Sequence, residues 1–201
     1  MNTSCCLNRN ILISRTGYAS VLALGQSTGK SLMSGQNSDM ILIIGLGSPI
    51  MSDDAIGLVV SEEIGSMKLR GVKTCQESIG GLDIIPVLCG HKYAIIVDAI
   101  KTGLYEPGTV IVFDLENFEP TVVASSAHDV NLATAIKIGR ALEPEGMPLS
   151  VKFVAIEVED IQTVSESLTP KVLASVKNAT STVVRIVNEF MAESKNQVDL
   201  C

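Results

Sequence analysis

Between residues 40 and 190 the chain alternates short apolar runs with segments whose apolar residues recur every three or four positions. Few architectures accept that order. Residues 40–46 are apolar apart from Gly45, the signature of a strand buried on both faces in a parallel sheet. A helix follows, with Ser52 or Asp53 as its expected cap. Ile56, Val59, Val60, Ile64 and Met67 form its apolar face, and Glu62 and Glu63 point away. Further strands are expected at 72–76, at 94–97 ending on Asp98, at 109–114 and at 151–158. Between them lie a short helix over 82–88, a loop over 115–127, and a helix over 129–142 with Leu132, Ile136 and Gly139 on one face. A long amphipathic helix over 170–193 opens at Thr169-Pro170. This pattern predicts a three-layer α/β/α domain around a twisted, mainly parallel, five-stranded sheet. Its site is expected outside the carboxyl ends of the strands.

The chain has 201 residues, one domain's worth, of which 46% are hydrophobic and 18% charged, a balance opposite to that of a disordered chain. Its formal net charge of −7 argues against nucleic-acid binding, which needs a basic face. No apolar stretch is long enough to span a membrane. Residues 1–39 are rich in Ser, Asn, Gly and Thr and carry no acid before Asp39. They read as a disordered extension or as the product of an upstream start, with the structured domain over 40–192 and a tail over 193–201. The five cysteines are odd in number and form no CxxC pair, which fits neither a disulfide framework nor a zinc ribbon and suits a reduced, cytoplasmic setting. Cys75 and Cys89 read as core filler. His91, beside Lys92, reads as a surface turn residue.

Four polar constellations fall at loops beside the strand ends. Gly45-Leu46-Gly47-Ser48-Pro49 lacks the third glycine of a dinucleotide fingerprint and the lysine of a P-loop, and Pro49 removes a donor, so it reads as a tight turn. In Ser52-Asp53-Asp54 one carboxylate suffices for a cap, and two adjacent ones repel, which makes Asp54 a candidate metal ligand. Asp98, after Ile95-Ile96-Val97, is either an anchor for backbone N–H groups or a cation ligand. His128, in Ser125-Ser126-Ala127-His128-Asp129, is either a polar cap-region residue or a third ligand. Together Asp54, Asp98 and His128 offer two oxygens and one nitrogen, a donor set for a borderline divalent ion such as nickel or zinc with positions left open. A Ser–His–Asp triad using Ser125 or Ser126 has no nucleophile elbow behind it, and no cysteine lies near the histidine loop.

Over residues 40–190 these motifs resemble the maturation proteases of NiFe-hydrogenases. Ile41 to Gly57 is similar to that family's opening strand, G-x-G-N turn and acidic D-D/E-x-x-G motif, with Ser48 where asparagine is usual. Val97-Asp98-Ala99 with Pro107-Gly108-Thr109, then Ser126-Ala127-His128, Ala155-Ile156-Glu157 and Leu168-Thr169-Pro170, resemble its later motifs in order. The resemblance implies metal contacts at Asp54, Asp98 and His128, which would also be the catalytic residues. It implies an endopeptidase that removes the C-terminal extension of a hydrogenase large-subunit precursor after nickel insertion. The nickel would be supplied by the substrate, and no organic cofactor is implied. The expected protein is a cytoplasmic monomer with the precursor as its partner. The alternatives are a metallohydrolase of a small substrate and a non-catalytic, nickel-sensing assembly factor.

Overall fold

Strand β1 takes Ile41–Leu46, and its side chains divide between two cores as the pleat requires. Ile41 and Ile43 face one side of the sheet, Leu42 and Ile44 the other, and all four are buried. The computed structural model describes residues 41–115 and 127–198. After β1 come helix α1 (Ile56–Ser66), β2 (Val72–Glu77), the short α2 (Ile84–Leu88), β3 (Tyr93–Ile100) and β4 (Val110–Asp114). Helix α3 (Ala127–Leu142), β5 (Ser150–Glu157) and α4 (Pro170–Val198) complete the described chain.

The strands lie in the order β2-β1-β3-β5-β4. All pairings are parallel except that of β4 with β5. That exception follows from length: β3 and β4 are joined only by residues 101–109, too few for a crossover back to the amino edge, so β4 re-enters the sheet running the other way. Helices α1 and α4 cover the face of Ile43, Ile95 and Ile156. Helices α2 and α3 cover the face of Ile44, Ile96 and Phe153. The expected three-layer α/β/α domain with a mainly parallel five-stranded sheet is what the chain forms.

Helix α4 buries Val172, Val176, Ala179, Val183, Ile186, Val187 and Phe190 along one stripe. Each large member contributes roughly 1.5–3 kcal/mol. Phe190 stacks on Tyr93 with ring centroids 4.6 Å apart, joining the helix to the middle of the sheet. No helix among the described residues is long and apolar enough to cross a membrane.

Several local expectations are corrected. Residues 52–55 form a 3-10 turn, and neither Ser52 nor Asp53 caps α1, which begins at Ile56 without a side-chain cap. Met67 lies beyond the end of α1 and is exposed, while Glu63 turns toward α4 and accepts a hydrogen bond from Thr180 Oγ1 at 3.0 Å. Strand β3 runs on to Ile100, so Asp98 sits within it and not at its end. Helix α3 begins at Ala127, which places His128 in its first turn and not in a preceding loop. Helix α4 continues to Val198, into the stretch expected as a tail. His91 is half-buried, with Nδ1 3.3 Å from the Leu88 carbonyl, and burial, reinforced by Lys73, holds its pKa below the usual value. Cys75 is buried core filler, as expected. The Cys89 thiol lies 3.8 Å from Met147 Sδ, and burial raises its pKa. The expected extension over residues 1–39 lies outside the described residues, as do Ser125 and Ser126.

Candidate active site

The chain leaves β1 for α1 and β2 on one side of the sheet, then passes under the sheet through α2 to β3 on the other side of β1. Neighbouring connections therefore diverge above β1 and β3. The carboxyl edge between them is the switch point at which open α/β sheets place their sites. Pairing of β1 with β3 ends at Gly45 and Val97. Asp98 is the next residue on β3, level with Leu46 at the end of β1, and the loop carrying Asp54 leaves β1 at the same place. The 3-10 turn of that loop packs against β3.

The glycines of this loop serve close packing. Gly47 has φ +138°, and a β-carbon there would collide with the Asp54 carbonyl oxygen. A β-carbon on Gly57 would collide with the carbonyl oxygens of Leu46 and Val97, so α1 can cross the ends of β1 and β3 only with glycine at that position. The turn is thus folded back on itself, in agreement with the tight-turn reading. Its compactness also aims the Ser48 amide at Asp54 Oδ2, 2.7 Å away. That contact uses the main chain of residue 48 and does not depend on its side chain.

Asp98 is half-buried, and its Oδ1 accepts the N–H of Ala99 at 2.8 Å. By pleat parity it lies on the face of Ala94 and Ile96, under α3. There it heads an apolar pocket with Ile96, Ile100, Phe113 and Leu132. Leu132 belongs to α3, and the other end of that helix lies at the amino edge, where Arg140 Nη2 donates to the Pro148 carbonyl at 3.3 Å. The first turn of α3 is therefore at the carboxyl edge, and His128 stands one helical turn before Leu132. So the backbone brings the β1 loop, β3 and the start of α3 to one edge of the sheet. Among the described residues no three histidine, cysteine or acidic side chains gather closely enough to hold a metal, and the His128 side chain lies outside the described residues. The two carboxylates are hard oxygen donors suited to a divalent ion.

Two buried acids beside the site carry roles that sequence reasoning missed. Asp53, taken for a local cap, is fully buried. Its Oδ1 accepts the Thr169 N–H at 2.7 Å, and its Oδ2 accepts the Thr169 hydroxyl at 3.0 Å and the amides of Glu159 and Asp160 at 3.2 and 3.0 Å. It therefore caps α4, from 116 residues away in sequence. The residue before it, Ser52, has φ +48°, a left-handed conformation costing about 1–3 kcal/mol outside glycine. Hydrogen bonds hold it there: Ser52 N–H donates to the Ser165 carbonyl at 2.8 Å, and Asp53 N–H to the Asp160 carbonyl at 3.0 Å. Asp160 itself is pulled down to about 2 by hydrogen bonds from the Thr163 side chain and the Gln162 and Thr163 amides. Glu157, at the end of β5, is 1% exposed and accepts the Thr102 and Gly103 amides, both at 2.8 Å, and the Thr102 hydroxyl at 2.7 Å. An acid closing the apolar run from Phe153 to Ile156 was the signal available for it.

Residues 78–186 match the family model for hydrogenase maturation proteases, just over half of the chain. The chain is 25% identical over 159 residues to the hydrogenase 2 maturation protease of Escherichia coli K12, covering 77% of this chain and 94% of that protein. It is also similar in fold to the hydrogenase maturating endopeptidase HybD from E. coli, with a TM-score of 0.63 at 23% identity over 75% of this chain and 93% of the other. The NiFe hydrogenase maturation protease HybD from Thermococcus kodakarensis gives a TM-score of 0.61 at 22% identity, over 74% and 99%. The motifs meeting at the switch point and the match of the family model agree: this chain belongs to the hydrogenase maturation protease family.

Proposed function

We propose that the chain is the endopeptidase that removes the C-terminal extension of a NiFe-hydrogenase large-subunit precursor once nickel has been inserted. What supports this reading is that the loop carrying Asp54, strand β3 carrying Asp98 and the first turn of α3 carrying His128 lie at one edge of the sheet, in a chain of this family. In this reading the three residues do not form a closed metal site of their own. They complete the coordination of nickel that the precursor already holds, so nickel is part of the substrate. Nickel so held would supply Lewis-acid polarisation of the scissile carbonyl. The chain's own task is to place two carboxylates and a neutral imidazole on one side of that metal. The Ser48 amide on Asp54 and the Ala99 amide on Asp98 each fix one carboxylate oxygen, which limits the rotamer freedom lost on binding. Recognition then depends on the metal and not on the cleaved side chains, and an unloaded precursor is left uncut. The protein acts as a cytoplasmic monomer with no organic cofactor and no nucleic-acid or membrane partner.

The test is a mass-spectrometric cleavage assay on a large-subunit precursor from the same genome, with and without inserted nickel. Release of one discrete C-terminal peptide from the loaded precursor alone is the expected result. Equal cleavage of both forms would overturn metal reading. Tight binding of the loaded precursor without cleavage would favour an assembly factor, and a stoichiometric metal in the purified protein would favour a metallohydrolase.

A further inference from the structure

Asp53 is a buried acid for which the reading above has no use, yet its carboxylate accepts four hydrogen bonds. Two stretches more than 100 residues away in sequence meet on its carboxylate: the exit from β5 at Glu159 and Asp160, and Thr169 at the head of α4. Ser52 adds two further ties, from its amide to the Ser165 carbonyl and from its hydroxyl to the Ser167 carbonyl at 3.3 Å. A cap for the local helix would need none of this, and α1 has no side-chain cap. Consecutive residues on a 3-10 turn point about 120° apart. With Asp53 pinned inward, Asp54 is turned outward and back over Gly47, where it takes the Ser48 amide.

We propose that Asp53 is the positioning residue of the site. It does not touch the substrate. It locks the turn to β5 and α4 so that the Asp54 carboxylate is presented at the switch point. This rests on the place given to Asp54 in the proposed function.

The experiment compares Asp53→Ala, Asp53→Asn and Thr169→Val with the wild-type chain, at a temperature where circular dichroism shows all of them folded. Asparagine keeps one acceptor oxygen, and valine at 169 removes only a hydroxyl donor, so these two hold the fold if alanine does not. Two quantities are read: kcat and KM for the nickel-loaded precursor, and the Ser48 amide resonance, which reports the Asp54 carboxylate without any turnover. The expected result is a fall in kcat of more than about tenfold for Asp53→Asn, with KM within about twofold. The Ser48 resonance shifts while amides of β3 and α4 stay in place. A merely structural role would lower the folded fraction and leave kcat per folded molecule and the Ser48 amide unchanged, and that outcome overturns the proposal. If the wild-type chain cleaves nothing, the proposed function fails. The Ser48 resonance then decides the positioning role alone, an unshifted resonance refuting it.

Discussion

Replacing Glu157 by alanine and by glutamine separates a buried hydrogen-bond acceptor from a buried charge. Both main-chain amides that Glu157 receives, from Thr102 and Gly103, end on the same oxygen, Oε1. Among the described residues the other oxygen takes only the Thr102 hydroxyl. Glutamine can therefore keep its carbonyl oxygen at the Oε1 position and turn its amide nitrogen toward the hydroxyl, which rotates to accept. The loss is charge assistance to the bonds, worth about 1 kcal/mol. Alanine strips the acceptor from two amides around a carboxylate only 1% exposed. At roughly 1–3 kcal/mol for each abandoned donor, taken near the low end because Gly103 is at the surface, plus lost side-chain packing, the total is about 3 kcal/mol. For a chain of this size, 1 kcal/mol moves Tm by roughly 2–4 °C. The alanine variant should melt about 6–12 °C below wild type, and the glutamine variant about 2–4 °C below. Urea unfolding followed by circular dichroism gives the free energies directly. Equal losses in the two variants would refute the account of a divided acceptor, and an alanine variant within 1 kcal/mol of wild type would refute the anchor itself.

Further outcomes follow from the same structure. Gly57→Ala brings a β-carbon against the carbonyl oxygens of two strands, which cannot yield as a side chain would, and should cost about 3 kcal/mol in urea unfolding. A cost below 0.5 kcal/mol, taken as roughly the surface-substitution range, would show that α1 does not rest on β1 and β3 as described. The His91 pKa is lowered below 6.5 in the folded chain, so folding favours the neutral ring. Its contribution is complete above the unfolded value and is lost as pH falls through the folded one, so stability should decline as pH drops below about 6.5, and His91→Gln should flatten that part of the curve. Asp54→Ala, Asp98→Ala and His128→Ala should each lower precursor cleavage by more than about a hundredfold while circular dichroism stays native. Retained cleavage in any one removes that residue from the site.

Much of this molecule was legible in one dimension because burial imposes a period. The unbroken apolar run at β1 announced a strand covered on both faces, and the spacing from Val172 to Phe190 announced the stripe that α4 buries. Asp54 stood out because a second adjacent carboxylate exceeds what a cap requires. Asp98 stood out because a charge following a buried run needs a reason. The helix after the histidine loop was expected from residue 129, two residues too late to show that His128 belongs to α3.

Local sequence by itself determined the layers and the sheet edge where the candidate residues lie, since strand and helix periods are written in successive residues. Tertiary structure alone decided what the acids do. Asp53 looks like a cap for the helix that follows it, and only the docking of the β5 exit and the α4 head beside it makes it the cap of another helix. Glu157 acquires its partners only because β3 ends alongside β5 and brings Thr102 and Gly103 to it. The direction of β4 was likewise settled by which edge a short connection can reach. Hydrogen-bond partners far apart in the chain leave no periodic trace, because their meeting depends on how the layers close and not on either segment alone.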